Sequence, residues 1–268
     1  MSTIRGHNLG FIKELEVAAK AGFTAVEIWL DTLQTYLQNG GTAAEANKVI
    51  DGLGLKVADA IGFAPWIVDD ETVRNKALSQ LQADMDVLAK LGCPRIAAPP
   101  AGATKLPLIS LDIVAERYSV ILKMGKQSGV IPQLEMWGGS ANLKHISEVL
   151  YVVAACGDAD ARILLDVFHI YKGRSPVQSL AFVGQQALDI FHVNDYPQVI
   201  SPEAISEPDR IFVGDGVAPV KEILKLAKHP DKPLIISFEV FNKSYYAQDA
   251  LKVAKTALEK MKAVTSGI

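Results

Sequence analysis

The chain has 268 residues, of which 49% are apolar and 21% are charged, a composition that excludes a disordered, collagen-like or coiled-coil protein. A formal net charge of -3 disfavours a nucleic-acid-binding protein, because binding to phosphates usually needs a basic surface. No apolar stretch reaches the ~18 residues needed to span a bilayer, so we expect no membrane partner.

Short β-rich runs alternate along the chain with longer segments of helical periodicity, which is typical of βα units around a parallel sheet. Several predicted helices end in a glycine just before the next strand, at Gly22, Gly54, Gly92 and Gly129. This pattern favours a single-domain (β/α)8 TIM barrel over residues 1–268 rather than an open doubly wound sheet. In chain order, the predicted strands are Ser2–Arg5, Ala25–Leu30, Lys56–Gly62, Arg95–Pro99, Val130–Trp137, Arg162–Ile170, Leu188–Asp195 and Pro233–Phe241.

The first predicted strand is short, because only Ser2–Arg5 lie between Met1 and Gly6. Strands usually have about five or six residues, so we expect the natural chain to begin upstream of Met1. The sequence shows no signal peptide and therefore predicts a cytoplasmic protein, unless a removed leader directs export.

Four polar residues interrupt the apolar runs near the carboxyl ends of predicted strands, where TIM barrels carry their reaction sites. They are Glu135, Asp166, His192 and Glu239. Each alone could cap a helix or pair with a lysine, but several buried carboxylates together need a compensating charge. We therefore predict that all four bind one divalent metal ion. Three carboxylates and an imidazole favour Mn2+ or Mg2+, with Co2+, Fe2+ or Zn2+ as alternatives, and Mn2+ is the first choice.

The motifs around these residues resemble the sugar isomerase/epimerase family with the xylose isomerase-like barrel. The resemblance spans nearly the whole chain and rests on QLEMWG, LLDVFH, FHVND, DRIFVGDG and ISFEVFN. The family includes ketose 3-epimerases, hydroxypyruvate isomerases and inosose dehydratases. The resemblance implies that Glu135, Asp166, His192 and Glu239 are the metal ligands. It also implies that Glu135 and Glu239 are acid/base groups on opposite faces of a bound sugar.

The same resemblance implies two substrate contacts. His169, three residues after Asp166, would hydrogen-bond a substrate oxygen next to the carbonyl, and Arg210 would match the family arginine that follows the seventh-strand histidine. For Arg210, the residues leave open a salt bridge to Asp209 or Asp215 on a solvated loop.

The family is also related to endonuclease IV, whose three-metal site needs additional histidines. Where that pattern has a histidine after Arg210, this chain has Ile211, and the third and fourth predicted strands end without one. A trinuclear phosphodiesterase site is therefore excluded.

Aromatic residues at or beyond strand ends are candidates to stack on the apolar faces of a sugar, although some will belong to the core. Trp137 is included among the predicted substrate-binding residues. Glu27 and Lys172 could hydrogen-bond sugar hydroxyls, with an ordinary ion pair as the alternative for each. The aromatic candidates are Trp29, Phe63, Trp66, Trp137, Phe168, Tyr196 and Phe241.

Together these residues predict a divalent-metal-dependent isomerase or epimerase of a sugar or sugar-like ketose. The hypothesis is that the metal stabilises an enediolate while one glutamate removes a C–H proton and either glutamate returns it. The alternative is a metal-dependent lyase or dehydratase of a keto-inositol or 3-keto sugar, and a sugar-binding subunit with little turnover is a third option. The expected partners are a small carbohydrate substrate and, as in many relatives, further copies of the chain.

Overall fold

Seven parallel strands form the inner layer of the computed structural model, which describes residues 1–268. They are hydrogen-bonded in two ladders, β1-β2 and β3-β4-β5-β6-β7, and β2 lies beside β3. Every paired strand runs parallel to its neighbour, as the alternating sequence pattern predicts. The strands are β1 (Ala25–Trp29), β2 (Lys56–Ile61), β3 (Arg95–Ala98), β4 (Ile131–Glu135), β5 (Arg162–Asp166), β6 (Leu188–Val193) and β7 (Ile235–Phe238).

Eleven α-helices precede, connect or follow the strands, and the longer ones bury one face. In the helix over Glu71–Lys90, Ala77, Leu81, Met85 and Leu88 are buried at helical spacing. None of the eleven combines the length and the apolar character that a membrane span requires. The helices are α1 (Ser2–Arg5), α2 (Phe11–Ala21), α3 (Leu30–Gln38), α4 (Ala43–Gly52), α5 (Glu71–Lys90), α6 (Leu111–Ser128), α7 (Ile146–Cys156), α8 (Val167–Gly173), α9 (Val220–Ala227), α10 (Lys243–Tyr246) and α11 (Ala250–Thr265).

Local side-chain and backbone signals set where these elements end. Gly22 ends α2 with a left-handed φ of 98°, as predicted. The predicted sixth strand stops early, at Asp166, because this side chain accepts hydrogen bonds from the Phe168 and His169 N–H groups at 2.6 and 3.2 Å. These bonds cap α8, so His169 belongs to a helix rather than to a strand.

The first predicted strand is wrong, because Ser2–Arg5 form a helical turn, α1, and the barrel has seven strands. A four-residue strand could form only a few backbone hydrogen bonds with its neighbours. The chain terminus and the side chains of α1 form hydrogen bonds to the neighbouring strands instead. The Met1 amine donates to the Glu27 carbonyl at 2.7 Å, and the Thr3 hydroxyl donates to the Phe238 carbonyl at 3.1 Å. The turn thus lies between β1 and β7, beside a mainly apolar cavity of about 460 Å³.

Candidate active site

Three of the four predicted metal ligands meet at the carboxyl end of the barrel. Asp166 ends β5, His192 lies near the end of β6, and Glu239 directly follows β7. Because the strands are parallel, these positions lie side by side. One candidate ligand atom from each residue lies within 4.8 Å of the other two, and all three residues are buried. The cluster is a candidate binding site for a metal ion.

Glu27 lies behind His192, outside the cavity where a substrate contact was expected. His192 Nε2 donates to Glu27 Oε1 at 3.1 Å, and the Ser237 hydroxyl donates to the other oxygen. His192 Nδ1 then faces Glu239 Oε2 at 3.3 Å and Asp166 Oδ2 at 3.8 Å. Burial lowers the pKa of His192, but Glu27 and Glu239 raise it well above its usual value. The carboxylates around His192 therefore favour the positively charged form of its imidazole.

Neighbouring polar side chains hold the two clustered carboxylates in place. The Asn194 amide donates to both oxygens of Asp166 at 3.1 and 3.0 Å. The Ser2 hydroxyl, from α1, donates to Glu239 Oε1 at 3.1 Å and accepts from the Trp29 indole at 3.2 Å. The turn that replaces the expected first strand thus supports the site directly.

Glu135, the fourth predicted ligand, ends β4 and lines the same cavity but is not part of the three-residue cluster. Its Oε2 is buried and has no hydrogen-bond partner. Burial and the nearby Glu239 raise the pKa of Glu135 to about 8. A carboxyl group with this pKa can carry a proton near neutral pH, which suits general acid/base chemistry.

Arg210 is buried in the same cluster, so the surface-loop ion pair does not form. Its Nη1 donates to Asp166 Oδ2 at 2.8 Å and to Glu239 Oε2 at 3.0 Å. Its Nη2 lies 2.5 Å from Glu207 Oε2 and 3.3 Å from His169 Nε2. Burial lowers the pKa of Arg210, but the surrounding carboxylates outweigh this effect and raise the pKa above its usual value. The guanidinium therefore offsets part of the negative charge of the cluster.

His169 lines the cavity from the first turn of α8. Because Arg210 can only donate, His169 Nε2 accepts and the ring proton resides on Nδ1. Nδ1 is buried and has no partner. Burial and Arg210 hold the pKa of His169 well below its usual value. His169 is thus a neutral imidazole with one N–H free for a ligand oxygen.

The cavity above the cluster has a volume of about 350 Å³ and a wall of aromatic rings. Ring centroids are 5.4 Å apart between Trp29 and Phe63, 5.8 Å between Phe63 and Trp137, and 6.1 Å between Trp29 and Phe241. The other three aromatic candidates, Trp66, Phe168 and Tyr196, are buried and do not line it.

Lys172, a predicted sugar contact, does not line the cavity. Its ammonium donates instead to the carbonyls of Glu203 and Ile205 at 2.9 and 2.7 Å. It fixes the loop that leads to Glu207, which does line the cavity. The spacing of Glu207, three residues before Arg210, was the only available signal for it. The other lining residues not predicted are Ile61, Thr104, Gly139 and Ser140, and no chemical motif marks them.

The fold and site define a β/α barrel with an acidic, metal-compatible cluster at the carboxyl ends of its strands. Residues 15–264 match the family described as Xylose isomerase-like TIM barrel, and the chain belongs to this family. It is 23% identical over 262 residues to the inosose isomerase of Halalkalibacterium halodurans, which covers 95% of this chain and 91% of that protein. The inosose isomerase of Bacillus subtilis is 23% identical over 263 residues, covering 95% and 92%.

Two solved structures illustrate the likeness in fold. The IOLI protein with a bound zinc atom superposes with a TM-score of 0.89 at 20% identity, covering 99% of this chain and 96% of that one. A D-psicose 3-epimerase determined in the presence of D-fructose gives a TM-score of 0.76 at 18% identity, covering 97% and 96%. The predicted xylose isomerase-like TIM barrel is thereby confirmed.

Proposed function

We propose that the protein is a divalent-metal-dependent isomerase or epimerase of a sugar or sugar-like ketose. The observation that carries the proposal is the convergence of Asp166, His192 and Glu239 beneath a cavity that Glu135 and Glu239 both line. Relatives named inosose isomerase support an enzyme of the isomerase type with a cyclic polyhydroxy ketone as substrate.

The residues present fit a divalent cation. Two carboxylates and one imidazole converge, and His192 Nδ1 and Glu135 Oε2 are buried without partners. Asp166, His192 and Glu239 would hold the ion, with Glu135 as the fourth ligand. Mn2+ stays the first choice for this oxygen-rich set, and the zinc-containing relative makes Zn2+ the main competitor. A bound cation would supply a Lewis acid that polarises substrate oxygens.

The chain's own groups would move the proton and orient the sugar. Glu135, whose pKa is raised to about 8, would exchange a proton with a substrate C–H position, and Glu239 would do so from the opposite side. The Nδ1–H of His169 would donate to a substrate oxygen. The rings of Trp137 and Phe63 would cover the apolar face of the sugar and exclude water.

The experiment is incubation of the metal-loaded protein with keto-inositols, D-fructose and D-psicose in D2O, followed by NMR. Deuterium at a carbon of a rearranged sugar supports the proposal. Loss of water would instead establish the dehydratase alternative, and binding without any exchange would establish a sugar-binding subunit. Removing the metal with a chelator should abolish exchange, and restoring Mn2+ or Zn2+ in parallel should identify the ion that the enzyme uses.

A further inference from the structure

We propose that Glu207 is a positioning residue that controls metal binding through Arg210. When no divalent ion is bound, the Arg210 guanidinium takes the place of the cation at Asp166 and Glu239. When an ion binds, Glu207 keeps the guanidinium away from these two carboxyl groups. This role rests on the metal site of the proposed function, and it concerns a residue that is not itself a predicted metal ligand.

Arg210 and a metal ion would use the same oxygen atoms. The Arg210 Nη1 atom donates to Asp166 Oδ2 at 2.8 Å and to Glu239 Oε2 at 3.0 Å. These two oxygens also lie 3.8 and 3.3 Å from His192 Nδ1, the imidazole nitrogen that has no hydrogen-bond partner. A guanidinium and a divalent cation beside the same buried atoms would repel each other, because water and salt screen them little there. Binding of the ion therefore favours movement of the guanidinium away from these oxygens.

The movement would be confined to the side chain of Arg210, because the backbone around it is fixed. Ile211 and Asp195 exchange backbone hydrogen bonds at 2.9 and 3.0 Å, and the Asn242 amide donates to the Arg210 carbonyl at 3.0 Å. The guanidinium is less completely bonded, since its Nε–H is buried without a partner. Its Cζ lies 4.3 Å from the centroid of the Phe168 ring, a contact that tolerates a shift because the attraction extends to about 6 Å.

Glu207 is the one carboxylate partner of Arg210 that is not a predicted metal ligand. Its Oε2 lies 2.5 Å from Arg210 Nη2, and its side chain is 46% exposed, whereas those of Asp166 and Glu239 are 2% and 7% exposed. The other contact of Nη2, to His169 Nε2 at 3.3 Å, is with a neutral ring. Once an ion takes the two clustered carboxyl groups, only Glu207 provides the paired charge that a buried guanidinium needs.

The loop fixes Glu207 independently of Arg210. Glu207 begins a short 3-10 turn that ends at Asp209, and the Ser206 N–H and hydroxyl donate to Asp209 Oδ2 at 2.8 and 2.7 Å. The Lys172 ammonium binds two carbonyls of the residues just before this turn. The turn brings Glu207 beside Arg210 at a spacing of three residues, so the carboxylate is a fixed partner for a movable guanidinium.

The test is the metal Kd of the full chain, measured for Mn2+ and Zn2+ by competition with a chelating indicator. Arg210→Gln should bind each ion at least about tenfold more tightly than the native protein, because the competing positive charge is gone. Glu207→Gln should bind each ion about tenfold more weakly, because Arg210 then stays at Asp166 and Glu239. Weaker or unchanged metal binding by Arg210→Gln overturns the proposal.

The double variant Glu207→Gln/Arg210→Gln separates positioning from a direct effect of the Glu207 charge on the ion. If Glu207 acts through Arg210, adding Glu207→Gln to Arg210→Gln should change the metal Kd by less than about twofold. An equal effect of Glu207→Gln with and without Arg210 overturns the proposal. Glu203→Gln is the matched control in the same loop, because Glu203 pairs with Arg174 outside the cavity. It should leave the metal Kd unchanged, and an effect as large as that of Glu207→Gln would contradict the proposal.

A crystal structure of the native protein with bound ion gives a result that does not depend on the folding of any variant. Arg210 Nη1 should no longer donate to Asp166 and Glu239, while Nη2 should still pair with Glu207. If the ion is bound and the protein exchanges deuterium, but Nη1 still donates to both carboxyl groups, only this proposal fails. If the native protein binds no divalent ion, this proposal and the proposed function both fail.

Discussion

The two ends of the barrel handle buried charge in opposite ways. At the amino ends of the strands, the single carboxylate of Asp189 is paired with Arg95, Arg162 and Lys232 at 2.7, 3.4 and 2.5 Å. At the carboxyl ends, Asp166 and Glu239 share one arginine with Glu207, and His192 Nδ1 and Glu135 Oε2 keep no hydrogen-bond partner.

The comparison separates a stabilising site from a binding site. The amino-end side chains are 11–23% exposed, and the Asp189 carboxylate there has three cationic partners. The clustered side chains of Asp166, His192 and Glu239 are only 1–7% exposed, where an excess of one charge is unfavourable without a ligand. The barrel therefore places its excess of buried carboxylates at the carboxyl ends of the strands, where a bound cation would compensate them.

The largest expected effect is the loss of catalysis on changing Glu135, at the carboxyl end. Glu135→Gln should lower kcat by about 10²–10⁴-fold, because the amide cannot exchange a proton with the substrate. Deuterium exchange with the best ketose measures it. The surface variant Glu116→Gln, with the same chemical change on α6, should keep full activity. A Glu135→Gln enzyme as fast as Glu116→Gln would remove Glu135 from the mechanism.

A smaller effect is expected one layer further from the substrate. Glu27→Gln should weaken metal binding about tenfold, because Glu27 accepts from His192 Nε2 and raises the basicity of the ring. Competition with a chelating indicator measures the metal Kd without requiring activity. Glu14→Gln is the control, since Glu14 is another buried glutamate but has no contact with the cluster. Equal metal Kd values for both variants would show that Glu27 does not support His192.

The corresponding change at the amino end should affect stability and spare function. Asp189→Asn should lower the free energy of unfolding by about 1–3 kcal/mol, because three cations lose their shared partner in a partly exposed setting. Urea denaturation measures this loss, and deuterium exchange should show kcat unchanged. A large fall in kcat with normal stability would contradict the division between the two ends.

The smallest effect is the pH dependence of that same ion cluster. Burial raises the pKa of Asp189, but Lys232 and Arg95 lower it below its usual value. The stabilisation is therefore fully present above the unfolded-state pKa of about 3.9 and is lost as the pH falls through the folded-state value. The stability difference between the native protein and Asp189→Asn should stay constant above about pH 5 and shrink below about pH 4. A difference that persists at pH 3 would show that ionisation of Asp189 is not its source.

The sequence predicted part of the site because strand-end position and residue type are local properties. Asp166, His192 and Glu239 each interrupt a β-rich run near its carboxyl end, and parallel strands bring such positions together. Glu27 shows the limit of this reasoning: it also lies on a strand, but its side chain faces His192 from behind. Only the tertiary packing, which brings Glu27 against His192 of β6 and Ser237 of β7, decides that orientation. Ser2 likewise lies in a predicted strand, but its hydroxyl supports Glu239 from a helical turn.

The alternation of apolar runs and amphipathic segments was enough to determine the barrel, because strand and helix periodicities are written in neighbouring residues. Motif residues were enough to indicate the family. Tertiary structure alone decided that Arg210 is buried and occupied, that the aromatic wall consists of four of seven candidates, and that α1 takes the place of a strand. These features depend on contacts between residues that are far apart in sequence, such as Ser2 and Glu239, 237 positions apart, which no local pattern specifies.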